Sequence, residues 1–344
     1  TVNDSDGPTV SAQAGSTEAG TTQAGTTEAR TGRPDDDRAV PRVLVCVCTY
    51  RRNDRLAQLL ERCVEIAAHG DDVELGVVVA DDNPDASAAK VTERFADRFP
   101  LGVHHVRSGA WNISVARNHL LDTALGLGDW IAMTDDDCLP EVDWIERLRE
   151  VQVRTGAHVV SGVTENVPGP GAPRWVAEQD AFDFTRPEPL PDGALLEVGQ
   201  TNNCLIDLAW LAEHPTLRFD QEFGRIGGED MMFFRAAAAE GMHARHAAGA
   251  VVVQVERAED CTFAALLRTS MWLGNSEAVT NLTGGTASRA RLAVRATKRA
   301  LSVAGDAVAR LGRRRSPHLR HAAVHVAGAV GLFLCALGVR LRHH

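Results

Sequence analysis

The sequence predicts an α/β protein in which helices cover both faces of a mixed, mostly parallel β-sheet. Within residues 43–163, five short apolar runs alternate with segments of helical periodicity. Each run is apolar throughout, which is typical of a strand that is buried on both faces. Parallel strands need crossover connections of helical length, and this alternation supplies them.

The predicted elements of the first half follow one another in order. The first apolar run, 43–48, precedes Asn53 and Asp54, which predict a helix cap ahead of apolar residues at helical spacing. The remaining strands of this half are 75–80, 103–106, 130–134 and 158–163, and its remaining helices are 113–125 and 141–153.

The second half of the chain breaks the alternation. A stretch rich in Pro and Gly, 168–193, is long for a plain connection, and long irregular segments are commonly binding loops or lids. Glu229 begins a predicted helix, which Gly241 ends because glycine favours the helix terminus. The other elements expected here are strands at 204–206 and 250–255 and a helix at 262–279.

Length and composition limit the class of protein. At 344 residues and 44% hydrophobic content, the chain can form one large α/β domain with appended segments. Residues 1–40 contain a short repeat rich in Thr, Gly and Ala, and we expect them to form a disordered tail. A catalytic domain is expected over residues 41–285, followed by a basic and apolar helical segment over residues 286–344.

The cysteines indicate the compartment. Their number is odd, seven, and they are scattered and mostly set in apolar runs, which predicts reduced thiols and a cytoplasmic protein. The polar N-terminal region has no apolar stretch like that of a signal peptide. Cys46 and Cys48 share one face of a strand, but no second ligand pair follows at zinc-binding spacing, so no zinc site is expected.

The C-terminal segment differs in charge from the rest. Twelve Lys and Arg residues follow Thr286 against one acidic residue, Asp306, although the whole chain has a formal net charge of −10. The pattern from Leu292 to Leu311 is a basic amphipathic helix, the type that binds anionic membrane surfaces, and residues 322–339 are apolar. Three interpretations stay open: helices peripheral at the inner face of the cell membrane, a membrane-spanning helix, or a helical pair packed on the catalytic domain.

Polar side chains collect where three predicted strands end. Asp135, Asp136 and Asp137 directly follow an apolar strand, and carboxylates so close together repel one another. Thr49 to Arg52 and Asp81 to Asn83 follow two other strands. Because ligands of α/β sheets bind at the carboxyl ends of the strands, these clusters predict a pocket for an anionic ligand held by a divalent cation. For the Asp triplet alone, a solvated acidic turn is an equal alternative.

Two further groups are candidates for the same edge of the sheet. Arg117, on the helix after the third strand, can contact either a phosphate or a neighbouring aspartate in a salt bridge. Glu229 and Asp230 follow two glycines at a predicted helix start. Acidic residues at that position also complement the helix dipole without any catalytic role.

Several segments occur in an order that matches a known family. They are Val45 to Arg52, Asp81 to Asn83, Ile113 to Asn118, Asp135 to Pro140 with Trp144, Thr201 to Asn203, Phe219-Asp220 and Gly227 to Asp230. With these motifs the chain resembles family 2 glycosyltransferases of GT-A fold, a Rossmann-like fold that binds nucleotide-diphosphate sugars. The resemblance is closest to a bacterial subgroup similar to succinoglycan-type glucosyltransferases and covers about residues 42 to 283.

The resemblance implies a transferase that needs Mg²⁺ or Mn²⁺ to neutralise the leaving diphosphate. Asp137 is then the main metal ligand, and Asp135 or Asp136 lies near the metal or the ribose. The positions that match the nucleotide-sugar pocket of the family are Thr49, Tyr50, Arg51, Asp81, Asp82, Arg117, Asp135 and Asp136. The donor is implied to be of UDP, GDP or dTDP type, without a choice among them.

By the same resemblance, Asp230 is the base that takes the proton of the acceptor hydroxyl in an inverting reaction, with Glu229 as the second candidate. Asn202, Asn203 and Trp272 are expected near the donor or acceptor sugar, and core packing explains Trp272 at least as well. The implied acceptor is a glycan, a lipid-linked molecule or a natural product. No nucleic-acid partner is expected.

The sequence departs from the family pattern at two points, and two other functions are alternatives. The Gln-x-x-Arg-Trp motif of processive synthases does not occur, which predicts one sugar added per encounter. Gln254 lies where some GT-A enzymes have a metal-binding histidine. A sugar-phosphate nucleotidyltransferase is disfavoured because residues 49–54 contain no glycine for a triphosphate loop. A non-catalytic carbohydrate-binding protein would not need a base at Asp230.

Overall fold

A computed structural model describes residues 40–70, 72–179, 181–182, 190–313, 316 and 318–342. The disordered tail predicted for residues 1–40 therefore lies almost entirely outside the described residues. The same holds for part of the predicted binding loop, at residues 180 and 183–189.

The strands and helices follow one another along the whole described chain. The strands are β1 (Arg42–Thr49), β2 (Glu74–Asp81), β3 (Val103–Arg107), β4 (Trp130–Asp135), β5 (Cys138–Pro140), β6 (Val159–Pro168), β7 (Leu195–Leu196), β8 (Asn203–Asp207) and β9 (Ala244–Glu256). The helices are α1 (Asn53–His69), α2 (Ala89–Glu93), α3 (Ile113–Ala124), α4 (Trp144–Thr155), α5 (Arg174–Glu178), α6 (Leu208–Glu213), α7 (Glu229–Ala239), α8 (Phe263–Thr283), α9 (Arg289–Gly312) and α10 (Leu319–Ala336), with a 3₁₀ turn at Phe223–Arg225.

The strands form one mixed sheet with the order β3-β2-β1-β4-β8-β6-β9-β5, and β7 pairs with β9 outside this path. The first four strands of this order are mutually parallel. β8 is antiparallel to both of its neighbours, β6 and β9 are parallel, and β5 and β7 are antiparallel to β9. The mixed, mostly parallel sheet predicted from the sequence is thus confirmed.

Three central strands end in register at one edge of the sheet. Thr49 at the end of β1 pairs with Asp81 at the end of β2, and Cys48 pairs with Asp135 at the end of β4. The polar clusters that follow these strands therefore meet at one place, as the sequence predicted.

Alternate side chains of β1 point to two separate hydrophobic cores. Val43, Val45 and Val47 pack with residues of α1 and α4. Leu44 and Cys46 pack on the other face with residues of α3, α6 and α7. Because both faces are covered, each central strand is apolar throughout, which is the pattern that identified these strands in the sequence.

Some element bounds differ from the prediction for reasons of pairing. The fourth helix begins at Trp144 rather than near 141, because Cys138–Pro140 forms a short strand opposite β9. β9 begins at Ala244 rather than 250, because its first residues pair with β6 and β7 around an irregularity between Ser161 and Val163. Asn53 is the first residue of α1 and does not cap it.

The thiols agree with the reduced state expected from the sequence. All seven cysteines are free, six of them buried and Cys48 half-buried. In the part of the chain that the structure describes, neither Cys46 nor Cys48 belongs to a group of side chains able to hold a metal.

The two C-terminal helices pack on α8. At one close approach, a Cβ atom on Gly274 of α8 would overlap the carbonyl oxygen of Gly328 of α10. Ser270 of α8 donates a hydrogen bond to the Val324 carbonyl (2.7 Å), and Asn275 donates one to the Gly331 carbonyl (3.1 Å). Among the described helices, α10 is long and apolar enough to cross a membrane, and 39% of it is buried against the chain.

The close approach of α8 and α10 can be tested with a matched pair of glycines. Gly274→Ala forces the two backbones apart, and we expect it to lower the free energy of unfolding by about 2 kcal/mol. Gly305→Ala, in α9, meets no atom within 4 Å of the new Cβ. It should be neutral or stabilising by about 0.5–1 kcal/mol, because alanine is the better helix former. Urea denaturation of both variants measures the difference, and equal effects would contradict the packing described.

Candidate functional site

A cavity of about 320 Å³ lies at the carboxyl ends of β1 and β4. Its lining includes most of the polar side chains that the sequence predicted for this edge of the sheet. These are Thr49, Tyr50, Asp82, Asp135, Asp136 and Asp137, and they are joined by Cys48, Arg52, Ile113, Ala116 and Gln254. The cavity thus combines carboxylates with a guanidinium, an aromatic ring and an amide.

Internal donors already hold part of the Asp triplet. Thr49 Oγ1 donates a hydrogen bond to Asp136 Oδ2 (2.8 Å). The guanidinium of Arg52 donates to Asp136 Oδ1 (3.0 Å) and to Asp137 Oδ2 (2.8 Å). Arg55 approaches the same Asp137 oxygen at 3.9 Å. These contacts fix the orientation of the triplet, and they rule out the alternative of a merely solvated acidic turn.

Burial makes two carboxylates of the triplet harder to ionise, although arginines lie beside them. Burial raises the pKa of Asp135 to about 6; Arg117 opposes this rise, and the carboxylates of Asp137 and Asp136 add to it. Burial also raises the pKa of Asp136, against the effect of Arg52. Both shifts favour the protonated form, so a bound cation would stabilise the ionised carboxylates.

The donor set suits a hard divalent cation. Single ligand atoms of Asp135, Asp137 and Cys138 all lie within 4.8 Å of one another. Mg²⁺ and Mn²⁺ prefer oxygen ligands, and the two carboxylates supply them. Burial raises the pKa of the Cys138 thiol, which stays protonated and is a poor ligand. Gln254 pairs with Cys138 across β5 and β9 and offers a further oxygen from the wall of the cavity.

Arg117 lies beneath the cavity rather than in it. Its side chain is buried, Nη1 forms an ion pair with Glu229, and Nη2 lies 3.5 Å from Asp135 Oδ1. Both ends of the guanidinium are therefore engaged by carboxylates. The structure favours the salt-bridge interpretation of Arg117 over the predicted contact with the nucleotide.

Two glycines shape the start of α7. Gly227 and Gly228 have φ values of 90° and 86°, in the left-handed region that other residues avoid. A Cβ atom at either position would overlap a side chain of α8, Trp272 at Gly227 and Thr280 at Gly228. Trp272 is half-buried and packs on this turn, so the structure supports its packing interpretation.

Asp230 follows this turn as the second residue of α7. Its Oδ1 accepts a hydrogen bond from the Met231 amide (2.7 Å), and the side chain is only half-buried. Glu229 differs in being buried, and burial raises its pKa although Arg117 opposes the rise. Of the two acidic residues, Asp230 is the more exposed to solvent.

The carboxylates of Asp81 and Asp82 accept hydrogen bonds from other groups of the chain. Asp81 is fully buried and accepts hydrogen bonds from the backbone and side chain of Asn83 (2.9 and 2.7 Å) and from the Ala88 amide (2.8 Å). Asp82 accepts from the Ser108 hydroxyl (2.9 Å) and from the amides of the next loop. Asp82 still lines the cavity, whereas Asp81 does not. The nucleotide contact expected of Asp81 stays a prediction.

The cavity lining does not include three other predicted residues, Arg51, Asn202 and Asn203. Asn203 is fully buried; its Oδ1 accepts a hydrogen bond from the Trp144 indole (2.8 Å), and its Nδ2 donates to two strand carbonyls (2.9 Å each). These contacts give Asn203 a structural role instead of the predicted sugar contact. Asn202 is half-buried. The Arg51 side chain is exposed and stacks at 5.2 Å on the Tyr50 ring, which alone of the two lines the cavity.

Trp111 was not predicted from the sequence as a candidate site residue. Its side chain is 64% exposed and its φ is 50°, an unusual conformation for a bulky residue. Asp82 holds the loop by accepting the amides of Ala110 (2.8 Å), Trp111 (3.0 Å) and Asn112 (2.8 Å). The Arg225 guanidinium lies 5.7 Å from the ring centroid. A left-handed tryptophan has no sequence signal, because the loop around it follows no periodic pattern.

A larger cleft, of about 740 Å³, lies between the end of α1 and α4. It is lined by His69 and Val73, which flank the amino end of β2, and by Arg149 and Val153 of α4. The amino ends of the strands are not where ligands of such sheets bind. The smaller cavity at the carboxyl ends is therefore the candidate active site.

Comparison with known families agrees with this site. Residues 44–211 match the family described as Glycosyl transferase family 2. The chain contains a family 2 glycosyltransferase domain. The match begins in β1 and ends in α6, so it includes the strands that carry Thr49, Asp81 and the Asp triplet. The resemblance found in the sequence is confirmed.

This chain is also similar to two relatives. It is 36% identical over 201 residues to the succinoglycan biosynthesis protein ExoM of Rhizobium meliloti, a match that covers 57% of this chain and 60% of ExoM. It is 29% identical over 143 residues to a glucosyl-dolichyl phosphate glucuronosyltransferase of Haloferax volcanii, covering 41% of this chain and 42% of the relative. The matched segment thus spans less than two thirds of the length of either protein.

A solved structure confirms the fold of this chain. The crystal structure of S. aureus TarS 1-349 in complex with UDP superposes with a TM-score of 0.50 and 13% sequence identity. The superposition covers 87% of this chain and 92% of TarS 1-349. It supports the GT-A fold expected from the motifs.

The raised pKa of Asp135 gives a testable dependence on pH. The native chain keeps a proton on Asp135 up to a pH of about 6, whereas the unfolded chain releases it near pH ~4. The unfolded state therefore binds fewer protons in this window, and stability without cation should fall as the pH rises through it. We expect Asp135→Asn to unfold at a higher temperature than the unchanged chain at neutral pH in a chelator, with a weaker dependence on pH.

The same measurement with Mn²⁺ separates stability from cation binding. Mn²⁺ should raise the unfolding temperature of the unchanged chain and have little effect on Asp135→Asn, because the variant lacks one ligand. Asp97→Asn, at an exposed position, is the control and should behave like the unchanged chain. An equal response of Asp135→Asn to Mn²⁺ would exclude Asp135 as a ligand.

Proposed function

We propose that the chain is an inverting, divalent-cation-dependent and non-processive glycosyltransferase. It moves a sugar from a nucleotide-diphosphate sugar to an acceptor hydroxyl. The observation that carries the proposal is the position of Asp230. This half-buried carboxylate begins α7 directly after Glu229, which Arg117 joins to Asp135 of the Asp triplet. One side of this arrangement suits a leaving diphosphate and the other an incoming hydroxyl.

In this mechanism Asp230 acts as the base. Its free carboxylate oxygen takes the proton of the acceptor hydroxyl while that oxygen attacks the anomeric carbon. The bond between the anomeric carbon and the diphosphate oxygen breaks on the opposite face, and the nucleoside diphosphate leaves with the bonding electrons. The Met231 amide donates to Asp230 Oδ1 and keeps the side chain oriented.

Asp135 and Asp137 would hold the cation at the other side of the site. When bound, Mg²⁺ or Mn²⁺ supplies the positive charge that stabilises the leaving diphosphate. Arg52 contributes a second positive charge at the same wall, since its guanidinium already binds Asp136 and Asp137. Tyr50 offers an aromatic face to the base or the ribose of the donor. The nucleotide is of UDP, GDP or dTDP type.

Arg117 and Glu229 act as positioning residues. The buried ion pair between them fixes the start of α7 relative to the end of β4, and this sets the distance from Asp230 to the donor. Such positioning matters, because an error of about 1 Å at a reacting centre can lower the rate roughly a hundredfold.

The acceptor side is proposed to include Trp111. An exposed indole on a loop that Asp82 holds rigidly can stack on a sugar ring. The names of the two relatives, one a succinoglycan biosynthesis protein and one acting on a glucosyl-dolichyl phosphate, support a saccharide in the acceptor. We therefore favour a glycan, free or attached to a lipid, over other acceptor hydroxyls.

The role of Asp230 can be tested with an isosteric substitution. Asp230→Asn removes the base but keeps the shape, and we expect it to lower kcat about 100- to 10,000-fold, the usual contribution of a general base. Transfer is measured as nucleoside diphosphate released from UDP-, GDP- and dTDP-sugars with Mn²⁺ and acceptor.

Two controls accompany this measurement. Binding of the nucleoside diphosphate with Mn²⁺, followed by thermal shift, should be unchanged in Asp230→Asn, because the donor contacts other residues. Glu240→Gln, an exposed acidic residue at the other end of α7, should keep full activity. Undiminished acceptor-dependent transfer by Asp230→Asn would show that another group is the base.

Trp111 gives a prediction for the acceptor alone. Trp111→Ala should raise the KM for the acceptor about tenfold, a loss typical of one aromatic contact, while the KM for the donor stays unchanged. Trp111→Phe keeps a ring at the same position and should recover most of the affinity. Steady-state kinetics with each substrate varied in turn make the comparison. An equal rise of both KM values would place Trp111 outside the acceptor site.

A further inference from the structure

The C-terminal helices expose an apolar surface that the transfer reaction does not use. On α10 the exposed apolar residues recur after seven, four, three and four residues, so they lie along one side of the helix. They are Leu319 (67% exposed), Val326 (37%), Val330 (43%), Phe333 (44%) and Leu337 (65%). We name this set the α10 ridge.

The surface continues onto α9. Val294, Leu301 and Val308 are more than half exposed and lie seven residues apart, so they share the side of α9 opposite the buried Leu292 and Ala296. An apolar groove of about 190 Å³ runs between the two helices and is bounded by Ala300 of α9 and by Val330 and Phe333 of the α10 ridge. Thr297 of the groove lining lies four residues before Leu301 of the α9 stripe, so the stripe adjoins the groove and, with the ridge, they form one mostly apolar face.

Cations flank this apolar face, and Asp306 is the one acidic residue of α9 and α10. Residues 321–339 contain no Asp, Glu, Lys or Arg. Arg320 and Arg340 lie at the two ends of this stretch, and Arg291 and Lys298 are exposed beside the α9 stripe. In a chain of net charge −10, this positive sign is a local property of the C-terminal helices.

We propose that this face docks on an anionic lipid bilayer. A contiguous apolar face with cations at its margin matches a bilayer surface, where apolar side chains enter the boundary of the acyl chains and cations meet the head groups. A second copy of the chain would be a poorer occupant, because it would bring a second set of cations against the first.

The contacts of α10 decide how the chain sits on the bilayer. The side of α10 opposite the ridge is fixed to α8 by hydrogen bonds from Ser270 and Asn275. Asn275 also accepts the Leu341 amide (2.8 Å), so the end of α10 is held as well. A spanning orientation would strip these polar groups of their partners. The helices therefore lie in the plane of the surface, with α10 attached to the protein.

The helices that carry the docking face also pack against the start of α7, which carries the candidate base. Leu292 and Ala296 of α9 and Leu332 of α10 share a hydrophobic cluster with Phe223 and with Met232 of α7. Met232 lies two residues after Asp230. If the proposed function holds, the same bilayer would bring a lipid-linked acceptor to this chain.

The test measures binding of the full chain to vesicles by flotation. Vesicles contain phosphatidylcholine alone or with roughly one third phosphatidylglycerol, an anionic lipid. We expect flotation with the anionic vesicles and at least about tenfold less for the double variant Val330→Ser with Phe333→Ser, which removes two apolar contacts. Val153→Ser, at an exposed apolar position on α4, is the matched control and should float like the unchanged chain.

Further outcomes separate the alternatives. Arg291→Gln with Lys298→Gln should weaken flotation on anionic vesicles, and high salt should have the same effect. A tryptophan introduced as Phe333→Trp should be quenched by lipids brominated near the head group and not by lipids brominated at the chain end. Quenching at the chain end would indicate a spanning helix and overturn the proposal, and so would equal flotation of the double variant and its control.

Two results keep this proposal distinct from the proposed function. A dimer that forms without lipid and is lost in the double variant would assign the face to a second copy and overturn membrane docking. The double variant should retain donor turnover with a water-soluble acceptor, since neither residue lies near the cavity. Failure of flotation with intact turnover would reject the docking face alone, whereas failure of turnover with intact flotation would reject the transferase.

Discussion

One buried guanidinium holds the two sides of the site together. Arg117 of α3 contacts Asp135 at the end of β4 and Glu229 at the start of α7, more than a hundred residues further along the chain. Without this cation, two buried carboxylates would lie close to each other with no compensating charge, and the loss of a buried partner typically costs about 3–5 kcal/mol. The relative position of β4 and α7 at this site therefore depends on a single buried side chain.

Much of the fold could be predicted because burial leaves a local pattern. β2, expected over 75–80, is found at Glu74–Asp81, since a strand covered on both faces is apolar at every position. The strand Cys138–Pro140 could not be predicted, because it is short and exists only where β9 runs opposite. The early start of β9 at Ala244 has the same cause, as its first residues depend on partners distant in sequence.

The residues that line the cavity could be predicted where they directly follow a strand. Thr49, Tyr50 and the Asp triplet line the cavity because they directly follow strands whose order the alternation revealed. Asp81 and Asn203 differ because their side chains are occupied by groups from loops and strands that no local pattern announces. The motifs located the cavity, whereas the division of its carboxylates between ligand and scaffold required the three-dimensional contacts.

The common register of β1, β2 and β4 has a consequence for how the sequence can change. Thr49 pairs with Asp81, and Cys48 pairs with Asp135, so these strands reach the cavity in step. An insertion or deletion of one residue within any of them would reverse the direction of every later side chain in that strand. Asp135 would then exchange places with a neighbour. A change in loop length leaves this register intact, whereas a change in the length of one of these three strands displaces the side chains at its end.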